Sequence, residues 1–303
     1  IIVDEQHKFG VEQRTLVVDH YTKKGELVDI LPNLLTMTAT PIPRSLALTF
    51  YGDLDLSIIN EIPKNRKGVK TWVIGESNRK KAYKWIEKQI IEKKTQVFVV
   101  CPFIEESENS NFQTVKAAEI EYQKLLSVLP NLKLGLLHGR LKNNEKDEVI
   151  TKMLNRKIDI LVTTPVIEVG VDIPNTNIIL IETPERFGLA SLHQLRGRVG
   201  RGDEEGYCFL ITSTRAENSL ARLKYMEKMN NGNQLAEIDL KMRGPGDIYG
   251  ADQHGFLNLK AADISDIELI KETKELAQRV FNNINKHPRI QEKLKKQLYV
   301  EEN

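Results

Sequence analysis

The chain has 303 residues, enough for about two domains on the usual length prior. Its hydrophobic content of 40% and charged content of 28% are those of an ordinary globular protein, and a net charge of +2 neither demands nor excludes a polyanionic partner. No apolar run approaches the ~20 residues that span a bilayer, and no Cys/His cluster has the spacing of a zinc finger, so membrane and zinc-finger classes are excluded.

The chain opens on Ile1-Ile2-Val3 followed at once by Asp4 and Glu5, which reads as the end of a buried strand inside a domain, with no signal peptide. A second apolar stretch runs from Ile30 to Thr40. Residues 1–62 are too few for a complete α/β domain and read as the C-terminal remnant of one lobe. Pro63 to Gly68 is a polar, basic linker with turn-forming composition. From Glu61 to Lys94 there are eleven Lys and Arg against four acids, a solvated helix face or a surface that tracks phosphates.

Residues 69–214 alternate strands and helices. Five runs, Gln96–Phe103, Leu132–Gly139, Ile158–Val166, Asn177–Thr183 and Gly206–Thr212, are rich in β-branched and apolar residues, as expected of parallel strands buried on both faces. Ala82, Trp85, Ile86 and Ile90 fall on one helical face, as do Val115, Ala118, Tyr122, Leu125 and Leu129, and then Val149, Ile150 and Met153. The expected fold is α/β, a doubly wound parallel sheet. Cys101 and Cys208 sit in apolar runs and are expected to be buried thiols of a cytoplasmic protein. Residues 215–303 read as helical: a helix over 215–230, a Gly-rich loop over 231–260, and a helix opened by the capping box Ser265-x-x-Glu268.

Three segments carry chemistry. Asp4-Glu5-Gln6-His7 at a strand end suits Mg²⁺ held through water and activation of an attacking water. It is followed by Thr38-Ala39-Thr40 and a proline-stiffened exit. Ile167 to Pro174 leaves a strand end where such sheets bind ligands; Gly170 permits close approach, and Asp172 can accept from a ribose hydroxyl or orient Arg198. The segment Gln194-Leu195-Arg196-Gly197-Arg198-Val199-Gly200-Arg201-Gly202 packs three arginines and three glycines into nine residues. A spacing of three puts Arg198 and Arg201 on one side of a helical turn, where guanidiniums suit a transferring phosphoryl group. The pattern GxxxxGK[ST], which cradles nucleotide phosphates, does not occur in the sequence.

Together these segments resemble a superfamily-two helicase core from its second motif to its sixth, and more closely the RecG family. The resemblance rests on IIVDEQHKFGVEQR, MTATPIPRSLALTFYGDLDLSIINEIP, VVCPFIEESE, ERFGLASLHQLRGRVGRG and AEIDLKMRGPGDIYGADQHG, and covers essentially the whole chain. It implies two RecA-like lobes, the first truncated here, then a helical hairpin and translocation region, with a wedge domain N-terminal to both lobes. It further implies a monomeric, ATP- and Mg²⁺-dependent translocase on branched or forked double-stranded DNA. Asp4, Glu5, His7, Gly170, Asp172, Arg198 and Arg201 are then expected at the nucleotide, with Gln194 beside them. Thr38, Thr40, Arg243 and Gln253 are expected to couple hydrolysis to DNA movement. The alternatives are a transcription-repair coupling translocase and a nucleic-acid-binding fragment without catalysis.

Overall fold

The computed structural model describes residues 1–5, 33–40, 55–59, 61, 67–102, 110–165, 173–201, 204–243 and 267–301. They fall into two compact units, residues 1–41 with 60–239, and residues 42–59 with 240–303.

The first unit begins with β1 (Ile2–Val3) and β2 (Leu35–Thr36), which pair in parallel, Ile2 opposite Leu35. Its body is a six-stranded, wholly parallel sheet of β3 (Val69–Gly75), β4 (Gln96–Val100), β5 (Leu134–Leu137), β6 (Ile160–Thr163), β7 (Thr176–Glu182) and β8 (Gly206–Thr212), in the order β3-β8-β7-β4-β6-β5. The helices between strands are α1 (Arg79–Lys93), α2 (Ser110–Val128), α3 (Asn143–Leu154) and α4 (Leu189–Arg196); α5 (Glu217–Lys228) and α6 (Gly232–Arg243) follow the last strand, and α6 runs on beyond the unit's boundary.

Because side chains alternate along a strand, the central strands feed two cores. Val97, Val99, Ile178, Leu180, Phe209 and Ile211 meet Tyr83, Ile86 and Ile90 of α1 and Ala118 and Leu125 of α2. Phe98, Val100, Ile179, Ile181, Cys208 and Leu210 meet Met153 of α3, Leu192 and Leu195 of α4, Leu223 and Met226 of α5 and Leu235 of α6. The expected doubly wound sheet is therefore present, and all five expected strands lie within or close to their predicted runs. Cys101 and Cys208 are buried free thiols, and burial pushes the Cys208 thiol up to about 12.

Three local expectations need correction. Val69–Gly75 adds an unanticipated edge strand immediately after the basic linker. Residues 232–243, expected as loop, form α6, whose Leu235, Ala236 and Leu240 are buried. The helix carrying the arginines stops at Arg196, so Arg198 and Arg201 do not share a helical turn. Gly200 has φ +66°, and a Cβ there would come within 3.1 Å of the Gly206 backbone, so a helix cannot continue past it.

The second unit contributes α7 (Ile267–Phe281) and α8 (Pro288–Glu301) among its described residues. Ser265 of the expected capping box lies outside the described residues.

Candidate nucleotide site

The parallel pairing of β1 and β2 delivers two expected segments to the same edge. Leu35 N donates to Ile1 O at 2.8 Å and Met37 N to Val3 O at 2.7 Å, so Asp4-Glu5 and Thr38–Thr40 leave adjacent strands at their carboxyl ends. Asp4 is exposed, and its Oδ1 accepts from Glu5 N at 2.8 Å. Glu5 is half-buried with φ 50°, a left-handed conformation uncommon for a residue with a Cβ. The Thr38 hydroxyl accepts from Thr40 N at 3.1 Å, a side-chain-closed turn.

The arginine segment reaches this edge through an amide. Gln194 Nε2 donates to Thr40 Oγ1 at 2.6 Å, across 154 positions of sequence. Gln194 sits on α4, whose Leu189, Leu192 and Leu195 are fully buried and leave little freedom for the helix to turn. Beyond the helix, Arg198 is half-buried and Arg201 exposed, the latter donating from Nε to Gly197 O at 3.2 Å.

The three arginines of this segment divide by role. Arg196 is 3% exposed and gives one nitrogen to the Met226 and Met229 carbonyls at 2.8 and 2.9 Å, satisfying the C-terminal end of α5. Burial lowers its pKa. Arg196 is a structural strut, and Arg198 and Arg201 are the guanidiniums left beyond the helix end. Of the other expected site residues, His7, Gly170, Asp172 and Gln253 lie outside the described residues. Arg243 is the last residue of α6 and belongs to the second unit.

Two buried networks escaped sequence reasoning. Arg222 of α5 donates to Phe187 O at 2.7 Å, Glu185 O at 2.8 Å and Asp239 Oδ1 at 3.2 Å. The other Asp239 oxygen accepts from Leu189 N at 2.9 Å, capping the first turn of α4. One carboxylate of α6 thus holds the start of the helix whose other end presents Gln194. Across the sheet, Arg79 clasps Glu182 at the end of β7, with Nη2 to Oε2 at 2.8 Å, while also donating to Tyr83 Oη at 2.9 Å. For the first network the sequence cue is a charged residue amid helical apolar neighbours, Arg222 and Asp239; Arg79, beside Lys80 and Lys81, carries no such cue.

Carboxylates, hydroxyls and a primary amide thus gather at the carboxyl end of a parallel pair, where α/β sheets bind ligands, with guanidiniums of a kind suited to phosphate beyond a helix end. Residues 81–203 match the helicase conserved C-terminal domain. Solved structures agree on the fold: the DEAD-box protein Mss116p bound to single-stranded RNA and AMP-PNP is 19% identical over 75% of this chain and 46% of its own, with a TM-score of 0.53.

Residues 229–299 match the C-terminal part of domain 3 of the ATP-dependent DNA helicase RecG. The RecG helicase of Thermotoga maritima is 46% identical over 92% of this chain and 35% of its own length. That of Streptococcus pneumoniae is 43% identical over 91% of this chain and 40% of its own. A structure of RecG bound to a three-way DNA junction superposes with a TM-score of 0.65 at 41% identity, over 89% of this chain and 33% of that one. The chain belongs to the RecG-type helicases as a C-terminal portion, spanning about a third of the length of these relatives.

Proposed function

We propose that this chain supplies the second motor lobe and translocation region of an ATP-dependent, double-stranded DNA translocase that remodels stalled forks and branched DNA in the cytoplasm, working as a monomer. The observation that carries this reading is the hydrogen bond from Gln194 to Thr40, which joins the arginine segment to the edge where Asp4 and Glu5 emerge.

The donor set fits Mg·ATP. Magnesium sites of this kind use one or two carboxylates and complete their octahedron with water and nucleotide phosphates. Asp4 and Glu5 are such a pair, and among the described residues no group of three His, Cys, Asp or Glu forms a metal cage. In this reading Asp4 and Glu5 would hold the ion through water, and the ion would supply charge neutralisation to the nucleotide phosphates. Gln194 keeps the lobe edge in register with Thr40. Arg198 and Arg201 supply guanidiniums to the phosphoryl group, whose spread charge a planar donor matches. By the family resemblance, Gly170, Asp172 and His7 are assigned to the nucleotide as well.

Coupling to DNA is assigned to the end of α6 and the segment that follows it. Asp239 grips the first turn of α4 and lies on α6, four residues before Arg243. A shift of α4 on nucleotide binding is therefore passed to α6, a packed-element movement of a recognised kind. Arg243 and Gln253 then transmit it to the duplex.

The test is a chimera joining the N-terminal two thirds of the Thermotoga maritima relative to this chain. The chimera should hydrolyse ATP with stimulation by forked DNA, and the isolated chain should not, since its sequence carries no phosphate-cradling loop. In the chimera, Arg243→Ala or Gln253→Arg should retain DNA binding and much of the hydrolysis while fork unwinding falls sharply. Turnover by the isolated chain, or equal loss of hydrolysis and unwinding in these variants, contradicts the assignment.

A further inference from the structure

No residue assigned to the nucleotide falls in the basic stretch between Glu61 and Lys94. α1 packs Tyr83, Ile86 and Ile90 into the core on one side and leaves Lys80, Lys81, Lys84 and Lys88 exposed on the other. Arg79 is turned inward to Glu182 and Glu76. Among the described residues, Lys80, Lys81 and Lys84 have no ion-pair partner, and Lys88 reaches only Glu92 at a loose 3.7 Å. These are like charges three and four residues apart, an arrangement that weakens a helix. The first turn of α1 holds no acid, although the helix dipole favours one there. Local stability therefore does not account for the row.

We propose that this outer face of α1 is a second contact surface for duplex DNA, separate from the nucleotide edge and on the opposite face of the sheet from α4. The row from Lys80 to Lys88 extends about 12 Å, over which a duplex presents about seven phosphate charges. An acidic protein is the poorer occupant. Protein interfaces are depleted of lysine at their centres and need an apolar heart, whereas on this helix face only Ile91 is a strongly exposed large apolar side chain. The proposal rests on the motor reading only in taking DNA as the polyanion.

The molecule carries its own reporter. It has two tryptophans, and one of them, Trp85, lies on the same helix as the row, next to Lys84. Trp85 lies on α1 and meets Tyr207 and Phe209 edge-on, while Trp72, 39% exposed, stacks on the same two rings from the edge strand β3.

The experiment titrates the 303-residue chain with a short blunt duplex, following tryptophan fluorescence and anisotropy of labelled DNA between about 50 and 200 mM salt. Binding should change the tryptophan signal. The triple variant Lys80→Ala, Lys81→Ala, Lys84→Ala should reduce the slope of log affinity against log salt by about 2 to 3, close to 0.9 for each phosphate that the variant leaves unneutralised. A control triple on the other face, Lys152→Ala, Lys157→Ala, Lys224→Ala, should leave the slope unchanged, with circular dichroism verifying both folds. Equal slopes for the two triples, no duplex binding by the chain, or equal affinity for polyglutamate each overturn the proposal. The slope is read without ATP, so this inference and the motor reading fail separately.

Discussion

The six-stranded sheet and the β1–β2 pair are built from the same kind of residue and end in opposite states. Every residue of β4, β6 and β7 is buried, and helices cover both faces. In the two-stranded pair, Ile2 is 71% exposed and Leu35 55%, with Met37 exposed just beyond. Parallel strands are stable when both faces are covered, and a two-stranded pair alone is marginal. The six-stranded sheet thus carries its own folding energy, and Gln194 of that body ties to the β1–β2 edge through Thr40.

This contrast can be broken or sharpened by substitution. The largest loss of stability is expected from Arg222→Ala. It removes the donor to two carbonyls and leaves Asp239 without its buried cation, which should cost about 3–5 kcal/mol in chemical denaturation. Leu180→Ala, in the middle of β7 at 0% exposure, should cost about 2–5 kcal/mol through lost burial and the cavity left behind. Leu35→Ala, a similar deletion on β2, should change stability by less than about 0.5 kcal/mol. A loss at Leu35 as large as that at Leu180 would show that the pair shares the lobe's core. Smallest in energy but sharpest in contrast, Cys101 and Cys208 should resist a maleimide in native buffer and react once the lobe unfolds. Fast labelling of either would mean that the core is open.

How far the sequence disclosed this arrangement follows from the range of each interaction. The buried strands were legible because near-continuous apolar runs such as IILI admit few other readings, and the helices between them because their apolar stripes are local patterns. The edge strand was missed because VKTWVIG interleaves Lys70 and Thr71 with its apolar residues and follows a basic turn, as suits a strand open on one side. Helix α6 was hidden by the glycines that flank it. The arginine segment was legible as chemistry but not as geometry. Spacing of three suggests a helical face, whereas Gly197 and Gly200 end the helix and send Arg198 and Arg201 along a turn. Arg196 looked like its neighbours until the α5 carbonyls it satisfies were located. The Gln194–Thr40 bond joins residues 154 positions apart, beyond any local pattern.

The central claim is that the guanidinium of Arg198 serves the nucleotide phosphates and neither the fold nor the DNA. It is tested most directly by introducing Arg198→Ala into the chimera and measuring ATP turnover and duplex affinity on the same preparation. Turnover should fall by roughly 10³-fold or more, the scale of an arginine acting on a transferring phosphoryl group, while duplex affinity stays nearly unchanged. A variant that hydrolyses ATP normally and has lost its hold on DNA would contradict the account.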